Sequence, residues 1–321
     1  MTKGRLMLDL RIHAITDVAE GIKTFDLRRV DGQALPAFTA GAHIDVALPN
    51  GLVRQYSLIN ESSGHSYVIG VNKSDPSRGG SDFMHKAVRV GDTLQASSPR
   101  NNFPLDETAR NSVLIAGGIG ITPILSMVRR LAALGRPWHL FHCTRTRART
   151  PFIEEVVALA VQSRGRVEYI HDGEAGSQPL DVAAAVRAAS PDTYFYCCGP
   201  APLMETFTAA TRSVAEHRVH VEYFTNTIAR GAERGFKVIC SRSNRTITVE
   251  SNESILEALE RAGMAPLCSC REGVCGTCET RIVSGDPEHN DRILTPAERA
   301  SNRTMMICVS RARGNSLTLD I

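Results

Sequence analysis

Three of the nine cysteines in this 321-residue chain fall within nine positions: Cys270, Cys275 and Cys278, spaced C-x4-C-x2-C. Cys308 follows after 29 intervening residues. This is the ligand order of a plant-type [2Fe–2S] centre, where one loop supplies three thiolates and a distant segment the fourth. Enclosing two irons and two sulfides needs backbone amides turned toward sulfur, and so small or φ-permissive residues; Gly273, Gly276 and Thr277 answer that need. A zinc site would use paired C-x2-C units, or one such unit with histidines, so the x4 spacing and lone distant cysteine speak against it. Cys268 lies outside the spacing and reads as a spare small side chain. Cys308, in the run MMICVS, would alone read as a core cysteine, and the spacing promotes it to ligand.

A second set suits a nucleotide. VLIAGGIGITPILSMVRRL (113–131) reads as an apolar strand, a glycine turn and an amphipathic helix. Gly118 and Gly120 let the backbone approach a pyrophosphate at the helix N-terminus, where free amides favour an anion. Thr122 is placed to cap that helix, with Pro123 in its first turn. Gly118-x-Gly120-x-x-Pro123 is not the GxGxxG fingerprint, and a purely structural strand–turn–helix looks the same. WHLFHCTRTR (138–147) and TYFYCCGPAPLM (193–204) supply further strands, the latter ending in the turn Cys198-Gly199-Pro200. Alternating strands and helices predict an open parallel sheet. After WHLFHC come Arg145, Arg147 and Arg149 with no nearby acid. They suit a 2′-phosphate, or form a solvated basic loop.

Earlier still, Arg54-Gln55-Tyr56-Ser57 reads as strand, with Arg54 and Tyr56 on one face. A cation beside an aromatic plate can hold a phosphate and a flat ring together. An exposed arginine beside a half-buried tyrosine is the plainer account.

Three sets of such residues need several domains to position them, in keeping with the length. About 110 residues precede the glycine turn, with short alternating segments such as LDLRIHAITDV and YVIGVNK and a hairpin signal at Asn50-Gly51. They predict a small antiparallel barrel. Toward the other end, FKVICS and RTITVE predict a strand pair. Ser254-x-x-Glu257 opens a short helix that stops near Gly263, and Thr295-Pro296-x-Glu298 opens another. The expected division is 1–107 barrel, 108–225 nucleotide domain, 226–233 linker and 234–321 cysteine domain. A net charge of +3 without a basic block excludes nucleic acid. No apolar run is long enough to cross a membrane, and an odd cysteine count does not suit a secreted disulfide framework. A cytoplasmic location is expected.

Arg54-x-Tyr56-Ser57, Arg78-Gly79-Gly80-Ser81, Gly117-Gly118-Ile119-Gly120-Ile121-Thr122-Pro123, Cys198-Gly199-Pro200 and the cysteine loop, in this order, together resemble the phthalate dioxygenase reductase family, within the ferredoxin–NADP reductase superfamily. The resemblance covers essentially the whole chain. It implies an FMN-binding antiparallel β-barrel, an α/β parallel-sheet nucleotide domain and a β-grasp plant-type ferredoxin domain. It also implies that Arg54 meets the FMN phosphate, that Tyr56 and Ser57 contact the flavin, and that Arg78, Gly79, Gly80 and Ser81 cradle the phosphate. Cys198 would help position the nicotinamide, and Phe224 would cover the flavin. The implied activity passes electrons from NADH through FMN and the [2Fe–2S] cluster, one at a time, to a Rieske non-haem iron oxygenase (a phthalate, vanillate or carnitine type). The encounter would be transient and the reductase a monomer, its family's default. Plant-type clusters near about −400 mV lie below Rieske centres at roughly −150 to +300 mV, so that flow is downhill. Two other readings stay open: an electron-transfer subunit that does not itself oxidise NADH, and a redox sensor.

Overall fold

The structure, a computed structural model, describes residues 7–226 and 234–321. It divides into two compact units, Met1–Phe224 and Thr225–Ile321. Nearly all of the linker expected at 226–233 lies outside the described residues. Among the described residues no helix is long and apolar enough to cross a membrane.

The first unit opens with β1 (Met7–Ala19), β2 (Ile22–Arg29), β3 (His43–Ala47), β4 (Val53–Ser57), β5 (Tyr67–Asn72), the short helix α1 (Gly80–Lys86) and β6 (Thr93–Ser97). The six strands pair in the order β4-β3-β6-β1-β2-β5. Period-two patterning directs them: Leu8, Leu10 and Ile12 point inward while Met7, Asp9 and Arg11 face water. Phe25, Leu27, Ile44 and Ile69 complete a core in which each buried side chain contributes about 1.5–3 kcal/mol. The Leu58–Ile69 bridge and the Ile59 N–H donating to Val68 C=O (2.9 Å) join the two edges, so the sheet closes. Asn50-Gly51 does lie between paired strands. The connection is however the five residues 48–52, with Gly51 at φ +81° and Leu48 N–H donating to Leu52 C=O.

The parallel sheet follows, with β7 (Ser112–Gly117), α2 (Ile121–Ala133), β8 (Trp138–Thr144), α3 (Ile153–Gln162), β9 (Gly165–His171), α4 (Val182–Arg187), β10 (Tyr194–Cys198), α5 (Ala201–Ala210) and β11 (Val219–Glu222). The strand order is β11-β10-β7-β8-β9, all parallel. The central β7 is buried on both faces, hence its unbroken apolar run. Helices α2 and α3 pack on one face and α4 and α5 on the other. The boundary expected at 107/108 falls between β6 and β7. The two sheets share contacts: Gly41 N–H donates to Ser126 Oγ (2.9 Å), and Arg129 on α2 bonds Ile59 C=O and Glu155.

The second unit holds β12 (Phe236–Cys240), β13 (Arg245–Val249), α6 (Ile255–Arg261), β14 (Glu279–Ser284), β15 (Pro287–Glu288), α7 (Pro296–Ser301), β16 (Thr304–Met306), β17 (Arg311–Ala312) and β18 (Ser316–Leu319). Its main sheet runs β13-β12-β18-β14-β16. Ile255, Leu256 and Leu259 of α6 are buried with Phe236, Val238 and Leu317 in a single core. Both predicted helix starts form full capping boxes, Ser254 with Glu257 and Thr295 with Glu298. Each such cap stabilises its helix by about 1 kcal/mol.

Candidate functional site

The four predicted cysteine ligands come together. Cys270 lies within hydrogen-bonding reach of Cys275 and Cys308, and Cys278 within reach of Cys308. Arg271, Gly273 and Gly276 all take positive φ (59°, 70° and 75°), which turns the loop's amides inward. Glu272 N–H donates to Cys270 Sγ (3.3 Å) and Thr277 N–H to Cys275 Sγ (3.4 Å). Glycine is required at 273, because a Cβ there would stand 2.5 Å from Val309 Cγ2.

Hydrogen bonds from Cys275 and Cys308, with amide support, pull the Cys270 thiol down to about 3. Its bond to Cys308 lowers Cys278 as well. Hydrogen bonding to those two sulfurs, then burial and their charge, pushes Cys275 and Cys308 far up. Four crowded sulfurs cannot all ionise unaided, and iron is the cation that lets them. Among the described residues no group of three or more His, Cys, Asp or Glu could hold a single metal ion. The donor set fits a two-iron core, which spreads its ligands more widely than one ion does. Cys268 is not in this group; it packs partly buried against the core.

In the first unit the strand order reverses between β7 and β10, which opens a crevice at their carboxyl ends. The two predicted turns meet there. A Cβ on Gly120 would stand 2.1 Å from Cys198 C=O, and one on Gly117 would stand 2.5 Å from Pro200 Cδ. Both turns therefore need glycine to interlock. Thr122 does not cap the helix: Gly120 is the N-cap residue, and Thr122 Oγ1–H donates to Ile119 C=O (2.9 Å) from within the first turn. Its methyl faces β5 instead, 2.7 Å from where a Cβ on Gly70 would be. Cys198 is fully buried and its thiol is held protonated, by burial first and then by the nearby Glu222.

On the barrel, Arg54 lies against the start of α1. Its Nη2 donates to Arg78 C=O (2.9 Å), and a Cβ on Gly80 would stand 2.5 Å from its Nε. Gly79, at φ +86°, is the N-cap of α1; its N–H donates to Ser77 Oγ (3.1 Å), and Ser77 and Ser81 share a hydroxyl bond (3.1 Å). Arg54, Arg78, Gly79, Gly80 and Ser81 are thus one cluster. Tyr56 carries a buried hydroxyl without a hydrogen-bond partner, as a site shaped for another group leaves it. Burial raises its pKa strongly. Ser57 lies beside Glu222, the last residue of β11, whose Oε2 is buried without a hydrogen-bond partner.

Glu222 was not singled out in the sequence. It pairs in register with Cys198 across the parallel sheet, and burial pushes its carboxyl up to about 8 against the pull of the Ser57 hydroxyl. A lone acid in the strand VHVE was the available signal. Phe224, two residues on, packs partly buried against the α2–α3 side of the sheet.

The arginine loop after β8 is not without acids, as the linear reading held. The end of β9 brings Asp172 to 3.5 Å from Arg145, and Glu174 accepts the Arg147 N–H (2.8 Å). Asp172 Oδ1 is buried without a hydrogen bond, at the carboxyl edge where a ribose would lie.

A model of the 2Fe-2S iron-sulfur cluster binding domain matches residues 238–313, and one of the oxidoreductase NAD-binding domain matches 114–209. The chain is 45% identical over 315 residues to the phenoxybenzoate dioxygenase subunit beta of Ectopseudomonas oleovorans, covering 98% of this chain and 97% of that one. It is 43% identical over 324 residues to the tetrachlorobenzoquinone reductase of Sphingobium chlorophenolicum, covering all of both. The solved phthalate dioxygenase reductase, described as modular for electron transfer from pyridine nucleotides to [2Fe-2S], superposes with a TM-score of 0.73, 38% identity and 98% coverage of each chain. With its nucleotide crevice, flavin-ready barrel and four-thiol centre, the chain belongs to the phthalate dioxygenase reductase family, oxidoreductases that use NADH, FMN and a [2Fe–2S] cluster.

Proposed function

We propose that this protein is the reductase component of a Rieske-type oxygenase system, drawing electrons from NADH and delivering them singly to a terminal oxygenase. The observation that carries the reading is the Ser57–Glu222 contact. It brings the barrel strand that bears Arg54 and Tyr56 against the edge that bears Cys198. A hydride donor in the crevice and a flavin on the barrel would meet there.

Bound FMN supplies the conversion between a two-electron donor and a one-electron cluster. The chain's own residues bind and orient. Arg54 with the Arg78–Ser81 turn would hold the flavin phosphate, and Tyr56 and Ser57 would face the ring, with Phe224 covering it. The Gly118–Gly120 turn, Thr122 and the Cys198-Gly199-Pro200 turn would receive the dinucleotide, with Arg145 and Asp172 at its far ribose. Cys198 and Glu222, both held uncharged at neutral pH, would keep the hydride path free of fixed charge. Cys270, Cys275, Cys278 and Cys308 would ligate the cluster.

We assign FMN to 1–107, the dinucleotide to 108–225 and the cluster to 234–321. We further assign a cytoplasmic monomer that meets its oxygenase transiently. No disulfide joins any of the nine cysteines, which favours a reducing compartment. The test is an anaerobic visible titration with NADH and NADPH separately, then mixing with a Rieske oxygenase component. Bleaching of the flavin and cluster bands by NADH, with re-oxidation by the oxygenase, is expected. Bound cofactors that neither nucleotide bleaches would make this chain a relay subunit instead.

A further inference from the structure

Behind the cysteine loop lies a carboxylate that neither ligation nor nucleotide binding uses. Asp291 is completely buried, in the irregular stretch between β15 and α7. Its Oδ2 accepts the N–H groups of Ile293 (3.1 Å) and Leu294 (2.8 Å), while Oδ1 has no hydrogen-bond partner. Two basic side chains stand beside it outside hydrogen-bonding distance. Arg299 Nη2 is 3.6 Å from Oδ2, and His289 Nδ1 is 3.9 Å from Oδ1. Arg299 spends its hydrogen bond on the Asp291 carbonyl instead. A buried anion so incompletely neutralised is costly, and its field reaches far through a low-dielectric interior.

The same stretch ties together the two segments that carry the cysteines. Arg292 N–H donates to Gly273 C=O (2.8 Å), and a Cβ on Gly273 would stand 3.1 Å from Asp291 Cα and 3.3 Å from its Cβ. On the other side Asn290 N–H donates to Ser310 Oγ (3.2 Å) and its Nδ2–H to Val309 C=O (3.3 Å). Val309 and Ser310 directly follow Cys308. Residues 290–292 therefore cross-link the three-cysteine loop to the fourth cysteine's segment, with Asp291 at the middle of the link.

We infer that Asp291 is a positioning residue for the iron–sulfur centre and that its buried charge holds the centre's reduction potential down. The inference rests on Cys270, Cys275, Cys278 and Cys308 being the ligands. An added electron makes the centre more negative, so a fixed anion packed against its loop opposes reduction. Arg299 partly cancels that anion. Removing either charge must therefore move the potential, and in opposite directions. Loosening of the loop alone would not produce that pattern.

The test is a redox titration followed by electron paramagnetic resonance on full-length holoprotein, for wild type, Asp291→Asn and Arg299→Gln, with bound iron measured in each. Asp291→Asn keeps an oxygen for Ile293 and Leu294 and removes only the charge. It is expected to retain the cluster and to raise the equilibrium constant for one-electron reduction about tenfold, about 59 mV upward. Arg299→Gln is expected to shift it downward. Unchanged potentials, or shifts of the same sign, overturn the inference. If Asp291→Asn fails to hold iron, Arg299→Gln decides alone, and the absence of a downward shift overturns it. A cluster that survives Cys308→Ser would refute the ligand assignment instead, a result distinct from any potential shift.

Discussion

Ser57 at the end of β4 lies beside Glu222 at the end of β11, close enough to steady its carboxylate, and so brings the barrel to the edge of the parallel sheet. The hydroxyl steadies the carboxylate form, yet burial outweighs it and leaves the acid neutral up to about 8. A carboxyl group, usually a charge, is therefore held neutral here beside the crevice.

If that neutrality matters, flavin reduction by NADH slows as pH rises through about 8. Glu222→Gln should keep the rate at pH 7 and abolish the decline. Glu222→Ala, which removes the carboxyl beside Ser57 and opens a gap at the crevice, should lose about tenfold or more at all pH values. Stopped-flow reduction between pH 6 and pH 9 checks both.

Stability should carry the same signature. Between the ordinary 4.5 and about 8 the native state holds a proton on Glu222 that the unfolded chain releases. The unfolded state then binds fewer protons, so stability falls as pH rises through this window and levels off above it. The loss is on the order of a few kcal/mol. Thermal unfolding of Glu222→Gln should show a smaller drop from pH 5 to pH 8 than wild type.

Asp172 lies 3.5 Å from Arg145, and in the proposed reading it would accept a ribose hydroxyl and repel a 2′-phosphate. Asp172→Ala should raise kcat/KM for NADPH about tenfold by freeing Arg145, and lower that for NADH. Steady-state reduction of an artificial one-electron acceptor with each nucleotide reads out the change.

The four-thiol group separates Cys308 from Cys268. Cys308→Ser should lose most of the bound iron and the visible cluster bands. Cys268→Ser should keep both, because its side chain packs against the core rather than joining the other sulfurs. Iron per chain after purification decides.

Much of this architecture was legible in the sequence, because its signals are local. The alternation of β1, the Ser254 and Thr295 caps and the C-x4-C-x2-C loop depend on residues a few positions apart. Thr122 misled because hydroxyl residues near a glycine turn usually cap. Here Gly120 takes the cap position so that the turn can press against Cys198. Asp172, Glu222 and Asp291 were invisible for one shared reason. Each acquires its role from a residue far away in the chain: Arg145, Ser57 and Gly273 respectively.

The sheet order of the second unit bears on how it is made. β18, the last strand of this unit in chain order, is the middle one, flanked by β12 and β14. On the ribosome the earlier strands have no centre to pair against, and Cys308 emerges well after its three partners. The two outer pairs, β12 with β13 and β14 with β16, are joined only through β18, so this unit's sheet forms as a whole or not at all. A chain lacking β18 would leave β12 and β14 with open edges and yield no half-working electron carrier.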